Sequence, residues 1–274
     1  MRARLLSGIA AGTLALVTLA AVPASAADPA KLSVLHGVPG LTVDVWVNGE
    51  RTLDDFTPGS LAGPLDLPAG TYTVAITAAD AADASAPAIG PVDLALEAGK
   101  NYTAVAHLDA AGAPTATLFT NDISTTAAGQ GRLTVRHVAA APGVDVLAGT
   151  SPVITNLTNP NEKVLNLPAG TVSASVTATG TTTPALLGPA DVAVVEGTNT
   201  IVYAWGSATA SPATLALATQ TITGLHSSPS GVNAGEVGLV SDGGSSAWTF
   251  AIAGLAVAGL IGAGFARRAA TQRS

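Results

Sequence analysis

Along most of this chain apolar side chains return at every second position. In the stretch Thr71 to Thr77, Tyr72, Val74 and Ile76 alternate with Thr71, Thr73, Ala75 and Thr77. A two-residue period places the first set on one face of a strand and the second on the other. The same reading predicts strands near Leu32–Leu35, Val43–Val47, Leu61–Leu67, Thr71–Thr77, Val92–Leu96, Asn101–His107 and Thr115–Phe119. Asn48-Gly49 lies between Val47 and Glu50 and is a hairpin signal of the type that tolerates positive φ. The segment Leu-Pro-Ala-Gly at residues 67–70 predicts a further tight turn, with Gly70 supplying positive φ. No stretch shows a helical period with caps. Asp80 to Ala88 is Ala-rich, but Ser85 and Pro87 favour a loop.

The pattern then repeats. Leu65-Asp-Leu-Pro-Ala-Gly-Thr71 returns as Leu165-Asn-Leu-Pro-Ala-Gly-Thr171, and Leu32-Ser-Val-Leu-His36 as Leu133-Thr-Val-Arg-His137. Val43-Asp44-Val45 answers to Val144-Asp145-Val146, and Gly90-Pro91 to Gly188-Pro189. The offset drifts slightly, as small loop insertions between retained strands would make it do. Two copies of one domain are therefore predicted, over 27–131 and 132–226. Short strands at regular spacing with Gly and Pro between them give an all-β fold, with two tandem antiparallel β-sandwich domains of immunoglobulin-like or transthyretin-like type.

The ends read differently. Residues 1–26 carry Arg2 and Arg4, an apolar run from Leu5 to Ala21, and then Ala24-Ser25-Ala26, the order of a cleaved secretory signal. Residues 227–246 are rich in Ser, Gly and Pro and read as a linker. Ala247 to Ala266 is a run of 20 uncharged residues, about 30 Å as a helix, which fits one membrane span. Arg267, Arg268 and Arg273 follow in a basic tail, 267–274, which places that tail in the cytoplasm and the domains outside.

Charge and cysteine content narrow the chemistry. Between Ala27 and Ser246 there are 6 basic and 18 acidic residues, against nucleic acid or anionic headgroups as partners. The absence of Cys removes disulfides, thiol catalysis and Cys-based metal sites. The first copy holds 12 of the acidic residues. Asp54-Asp55 and Asp80/Asp83 are its carboxylate groupings, but neither has the alternating spacing of a calcium loop, so no metal and no cofactor is assigned. His36 with Asp44, and His137 with Asp145, recur at equal spacing and make two thirds of a nucleophilic triad. No Gly-x-Ser-x-Gly elbow or Cys completes it. They are read as structural pairs and no catalytic residue is assigned. Trp46, between Val45 and Val47, points away from the face those valines share, and with Asp54 and Asp55 forms the candidate partner contact. Trp205 occupies the position of His107, so that site differs between the copies.

Val-Leu-His, Val-Asp-Val-Trp-Val-Asn-Gly, Leu-Pro-Ala-Gly-Thr-Tyr-Thr-Val and Glu-Ala-Gly-Lys-Asn-Tyr-Thr-Ala-Val, over residues 31–121, resemble a bacterial exported family, domain-of-unknown-function family 4397 (DUF4397). The second copy is more divergent: Leu147-Ala148-Gly149 replaces Trp46-Val47-Asn48-Gly49, and Val172 replaces Tyr72. The resemblance implies a secreted or surface-attached β-sandwich with no agreed activity. Taken together, the expectation is a single-span cell-surface protein whose two outer domains act as a non-catalytic binding or structural module for an unknown envelope protein or glycan. A hydrolase using a His/Asp pair, and a scaffold subunit for another envelope protein, are the alternatives.

Overall fold

The computed structural model describes residues 27–227. The predicted signal, nearly all of the linker, the membrane span and the basic tail lie outside those residues. Among the described residues no helix is long and apolar enough to cross a membrane, and every regular element is a strand.

The first copy folds into eight strands: β1 (Ala30–Gly37), β2 (Val43–Val47), β3 (Glu50–Phe56), β4 (Leu61–Leu67), β5 (Gly70–Ala78), β6 (Ile89–Leu96), β7 (Asn101–Leu108) and β8 (Pro114–Thr120). The second repeats them as β9 (Gln130–Ala140), β10 (Val144–Ala148), β11 (Ser151–Leu157), β12 (Glu162–Pro168), β13 (Gly170–Ala178), β14 (Ala185–Val194), β15 (Asn199–Ser207) and β16 (Ala216–Ile222). The boundary drawn after residue 131 falls just inside β9. In each copy two four-stranded sheets face one another, β4-β1-β7-β8 over β3-β2-β5-β6 and β12-β9-β15-β16 over β11-β10-β13-β14. Leu32, Leu94, Leu96 and Tyr102, with Val43, Val45 and Ile76, fill the first sandwich. Leu133, Val135, Val144, Val146, Ile154 and Val202 fill the second.

Three expectations are corrected. The sheets are not purely antiparallel, because β1 pairs with β7, and β9 with β15, in parallel. Only a hairpin forces neighbours to run in opposite directions, and these pairs are joined through the opposite sheet. β3 was not anticipated: it is charged and exposed, and only Leu53 and Phe56 turn partly inward. Gly70 and Gly170 do not have positive φ. Their Leu-Pro-Ala-Gly segments carry the chain from the edge of one sheet to the start of a strand in the other. In the first copy the Tyr72 hydroxyl braces that crossing by donating to the Pro68 carbonyl at 2.9 Å. The Asn48-Gly49 hairpin is as expected, with φ of 52° and 84°, and Asn48 Oδ1 accepts from the Thr73 amide at 2.9 Å.

The recurring Gly-Pro dipeptides have a separate purpose. Gly90 in β6 and Gly188 in β14 have φ of 94° and 88°. A Cβ there would lie 2.7 Å from the Val74 carbonyl oxygen and 2.6 Å from that of Ala174. Both mark register shifts in edge strands, and the Pro that follows has no N–H to offer a further strand.

The two sandwiches are packed into one compact unit. Sheet β4-β1-β7-β8 lies face to face on sheet β12-β9-β15-β16, so β1, β7, β9 and β15 are buried on both sides, the usual condition of parallel strands. Leu35, Val105 and Phe119 of the first copy meet Val138, Ile201, Tyr203 and Trp205 of the second. Polar groups run through the same layer. Arg136 has no exposed surface: its Nη1 donates to the Tyr203 hydroxyl at 2.8 Å, its Nη2 to Asn121 Oδ1 at 2.9 Å and its Nε to Glu162 Oε2 at 2.7 Å. Its guanidinium carbon lies 4.3 Å from the Phe119 ring centre. Gln220 Oε1 accepts from Thr103 Oγ1 and the Tyr203 hydroxyl, and its Nε2 donates to Ser33 Oγ. The connection between the copies is clipped by the end of the second, where the Thr126 amide donates to the Leu225 carbonyl at 2.7 Å.

Candidate functional site

The repeated His residues sit where a strand turns into a loop, and each braces that turn. His36 Nε2 donates to the Leu41 carbonyl at 2.7 Å, and His137 Nε2 to the Pro142 carbonyl at 3.0 Å. The other ring nitrogen faces a backbone amide two residues on in both copies, at 3.4 Å. Neither ring reaches the Asp paired with it in the sequence. Asp44 accepts instead from the Asp55 amide at 2.9 Å and from Arg51 at 3.1 Å. Asp145 accepts from the Asn156 and Gly180 amides, each at 2.8 Å. The Asp55 and Asn156 backbones both take φ of 50°, and the equivalent carboxylate holds each in place. The structure therefore brings neither His/Asp pair together.

Asp44, Asp54 and Asp55 do approach one another closely enough for their oxygens to share an ion. Arg51 stands among them, 3.1 Å from Asp44 and 2.8 Å from Asp54, so one cation already offsets part of the charge of the three carboxylates. Burial works against the Asp44 charge, yet the Asp55 amide and Arg51 hold its carboxyl below the ordinary range. Trp46 is half-buried on the same outer face; its Nε1 donates to Thr77 Oγ1 at 2.9 Å and Arg51 lies over its ring. The contact group of Trp46, Asp54 and Asp55 is thus one patch, bound largely to itself.

A third buried histidine, His107, donates from Nδ1 to the Leu108 carbonyl, while Nε2 lies 2.9 Å from Thr117 Oγ1. Burial lowers the pKa of His36, His107 and His137 below the ordinary value, partly offset by their carbonyl partners. A lowered folded pKa means the unfolded chain binds more protons, so this stability is intact above about pH 6.5 and is lost as pH falls. Asp44, Asp122 and Asp145, also held low, add a second loss below about pH 4. Urea midpoints at pH 7.5 and 5.5 check the first phase. The expected result is a lower midpoint at 5.5, and equal midpoints would contradict it.

Among the described residues three apolar cavities lie inside the sandwiches: two of about 30 and 40 Å³, too small for a ligand, and one of about 150 Å³ in the first sandwich between β1/β4 and β2/β3, lined by Leu32, Val45, Leu53 and Leu65. Larger spaces open between the copies. One of about 510 Å³ is bordered by Asp28, Lys31, Lys100, Asn101 and Ile222 to Leu225. A second of about 410 Å³ is bordered by Lys31, Leu61, Pro64 and Thr219 to Thr223. They share Lys31, Asn101, Ile222 and Thr223, and so form one groove between the edge strands β4 and β16. The opposite seam, between β8 and β12, is filled by Arg136 and Glu162. At the position equivalent to Arg136, β1 carries Leu35, an apolar side chain packed in the layer between the copies that offers no hydrogen bond. Lys31 pairs with Asp66 at 2.7 Å; Lys100 makes no ion pair among the described residues. Sequence reasoning missed this groove, since its walls come from different copies.

Residues 30–147 match the family described as Domain of unknown function (DUF4397). That segment of the chain belongs to it. The match covers the whole first sandwich and runs through β9 into β10. The rest of the second sandwich is tied to the first by the internal repeat and the shared strand order. No curated protein matches the chain.

Proposed function

We propose that this DUF4397 protein is an envelope-anchored, non-catalytic binding module whose ligand lies in the groove between its two sandwiches. The observation that carries this reading is the groove itself, which exists only because the copies are fused face to face. Ligand sites favour such junctions, and a volume above about 300 Å³ suits one. Lys31, Lys100, Asn101 and three Thr give it polar groups without a nucleophile–base pair. The expected signal over 1–26 and span over 247–266 place the module outside a single-pass anchor. An immunoglobulin-like or transthyretin-like ancestry agrees with eight-stranded sandwiches duplicated in tandem. A hydrolytic role for His36 has less support, because its ring is engaged with Leu41 rather than with Asp44.

The test is capture from solubilised envelope by the full chain, followed by rebinding of the purified ligand. Alongside it run Thr223→Trp, which fills the groove, and a Trp46→Ala, Asp54→Ala, Asp55→Ala variant. Retention lost only with Thr223→Trp is the expected result. Retention lost only with the triple variant moves the site to the outer patch. Turnover of an ester, peptide or glycoside panel that vanishes in His36→Ala would replace the reading with the hydrolase.

A further inference from the structure

We infer that the groove takes an extended peptide segment, which adds as a fifth strand beside β16 with a carboxylate directed to Lys100. This rests on the binding reading above and names the ligand class. Its first support is geometric. The groove touches five consecutive residues, Thr219 to Thr223, although the side chains of a strand alternate between its faces. A wall of consecutive residues is therefore the strand's edge, and alternate amides and carbonyls of β16 point into the groove without a partner strand.

The second support is a contrast among the edges. The described sheets have eight edge strands. Seven carry a device that discourages further pairing: Gly63-Pro64 in β4, Gly90-Pro91 in β6, Gly188-Pro189 in β14, Pro114 opening β8, Pro152 in β11, Glu162, Lys163 and Pro168 in β12, and the charged run of β3. β16, Ala-Leu-Ala-Thr-Gln-Thr-Ile, has no charge, no Pro and no Gly. An unprotected edge is a hazard in open solvent, but here β4 walls it. What enters must be a single extended segment, since the edge of another two-layer domain would meet β4. Main-chain pairing would supply affinity, and the alternating wall of Thr and Ile would select side chains.

The third support is charge. Lys100 stands at the β16 end of the groove beside Asn101, the Asp28 carboxylate and Lys31, the last already paired with Asp66, in a copy that is otherwise strongly acidic. A carboxylate at that end of the peptide meets a cation free to receive it.

The test uses the full chain and a random library of extended peptides of about six residues. A selected peptide is expected to slow amide exchange along 217–223. N-methylation of its alternate amides should abolish binding, and Lys100→Glu should weaken it about tenfold. Peptide acid and peptide amide, with and without a Glu side chain, show whether the carboxylate is terminal. Failure to select any peptide, binding indifferent to N-methylation, or protection located away from β16 would each overturn the inference. If a glycan is instead retained and then lost in Thr223→Trp, strand addition fails while the groove remains a binding site.

Discussion

Replacing Arg136 by Ala is expected to lower the unfolding free energy by about 3–5 kcal/mol, a large part of the roughly 5–15 kcal/mol available to a domain. The substitution leaves the Tyr203 hydroxyl, Asn121 Oδ1 and the Glu162 carboxylate without the donors that now satisfy them. It also removes the cation held against Phe119. Glu162 is partly exposed, so its carboxylate recovers water, and Glu162→Gln should cost far less, about 1 kcal/mol. Because the network joins both copies, Arg136→Ala should uncouple them as well, giving two transitions in place of one. Chemical unfolding followed by fluorescence and by circular dichroism measures both effects. A loss under about 1 kcal/mol with a single transition would show that the network carries little of the junction.

Trp205→Ala should cost about 3–5 kcal/mol, the usual range for deleting a buried Trp. The ring is 9% exposed and lies against the first copy, with its Cζ2 facing Gly59 and its Cβ facing Gly37. Trp205→Phe is the informative companion. The indole Nε1 is buried and has no hydrogen-bond partner, so Phe gives up some packing but also removes an unpaired donor. Phe should therefore keep most of the stability that Ala loses. If both variants are equally destabilised, the indole N–H matters in a way that its surroundings do not explain. Urea titration of the three proteins at one pH decides between these outcomes.

Much of the fold is determined by the sequence alone. Alternation fixes which side chains share a face, so Leu32, Val45 and Ile76 were legible as core, and Asn48-Gly49 was legible as a turn because few other dipeptides accept positive φ at both residues. The repeat made the second sandwich predictable from the first. Charged β3 escaped because its pattern is that of an exposed edge, with little burial to report. His36 and Asp44 stand eight residues apart in both copies, but sequence spacing does not give the distance between side chains across a sandwich. Only the tertiary structure decided what covers each face. Thr103, Arg136, Asn199 and Gln220 have the composition of a solvated side, yet they are buried because one copy's sheet lies on the other's. The groove beside β16 arises in the same way: its walls are more than one hundred residues apart in the chain, and only the packing of two complete sandwiches brings Lys100 to Thr223.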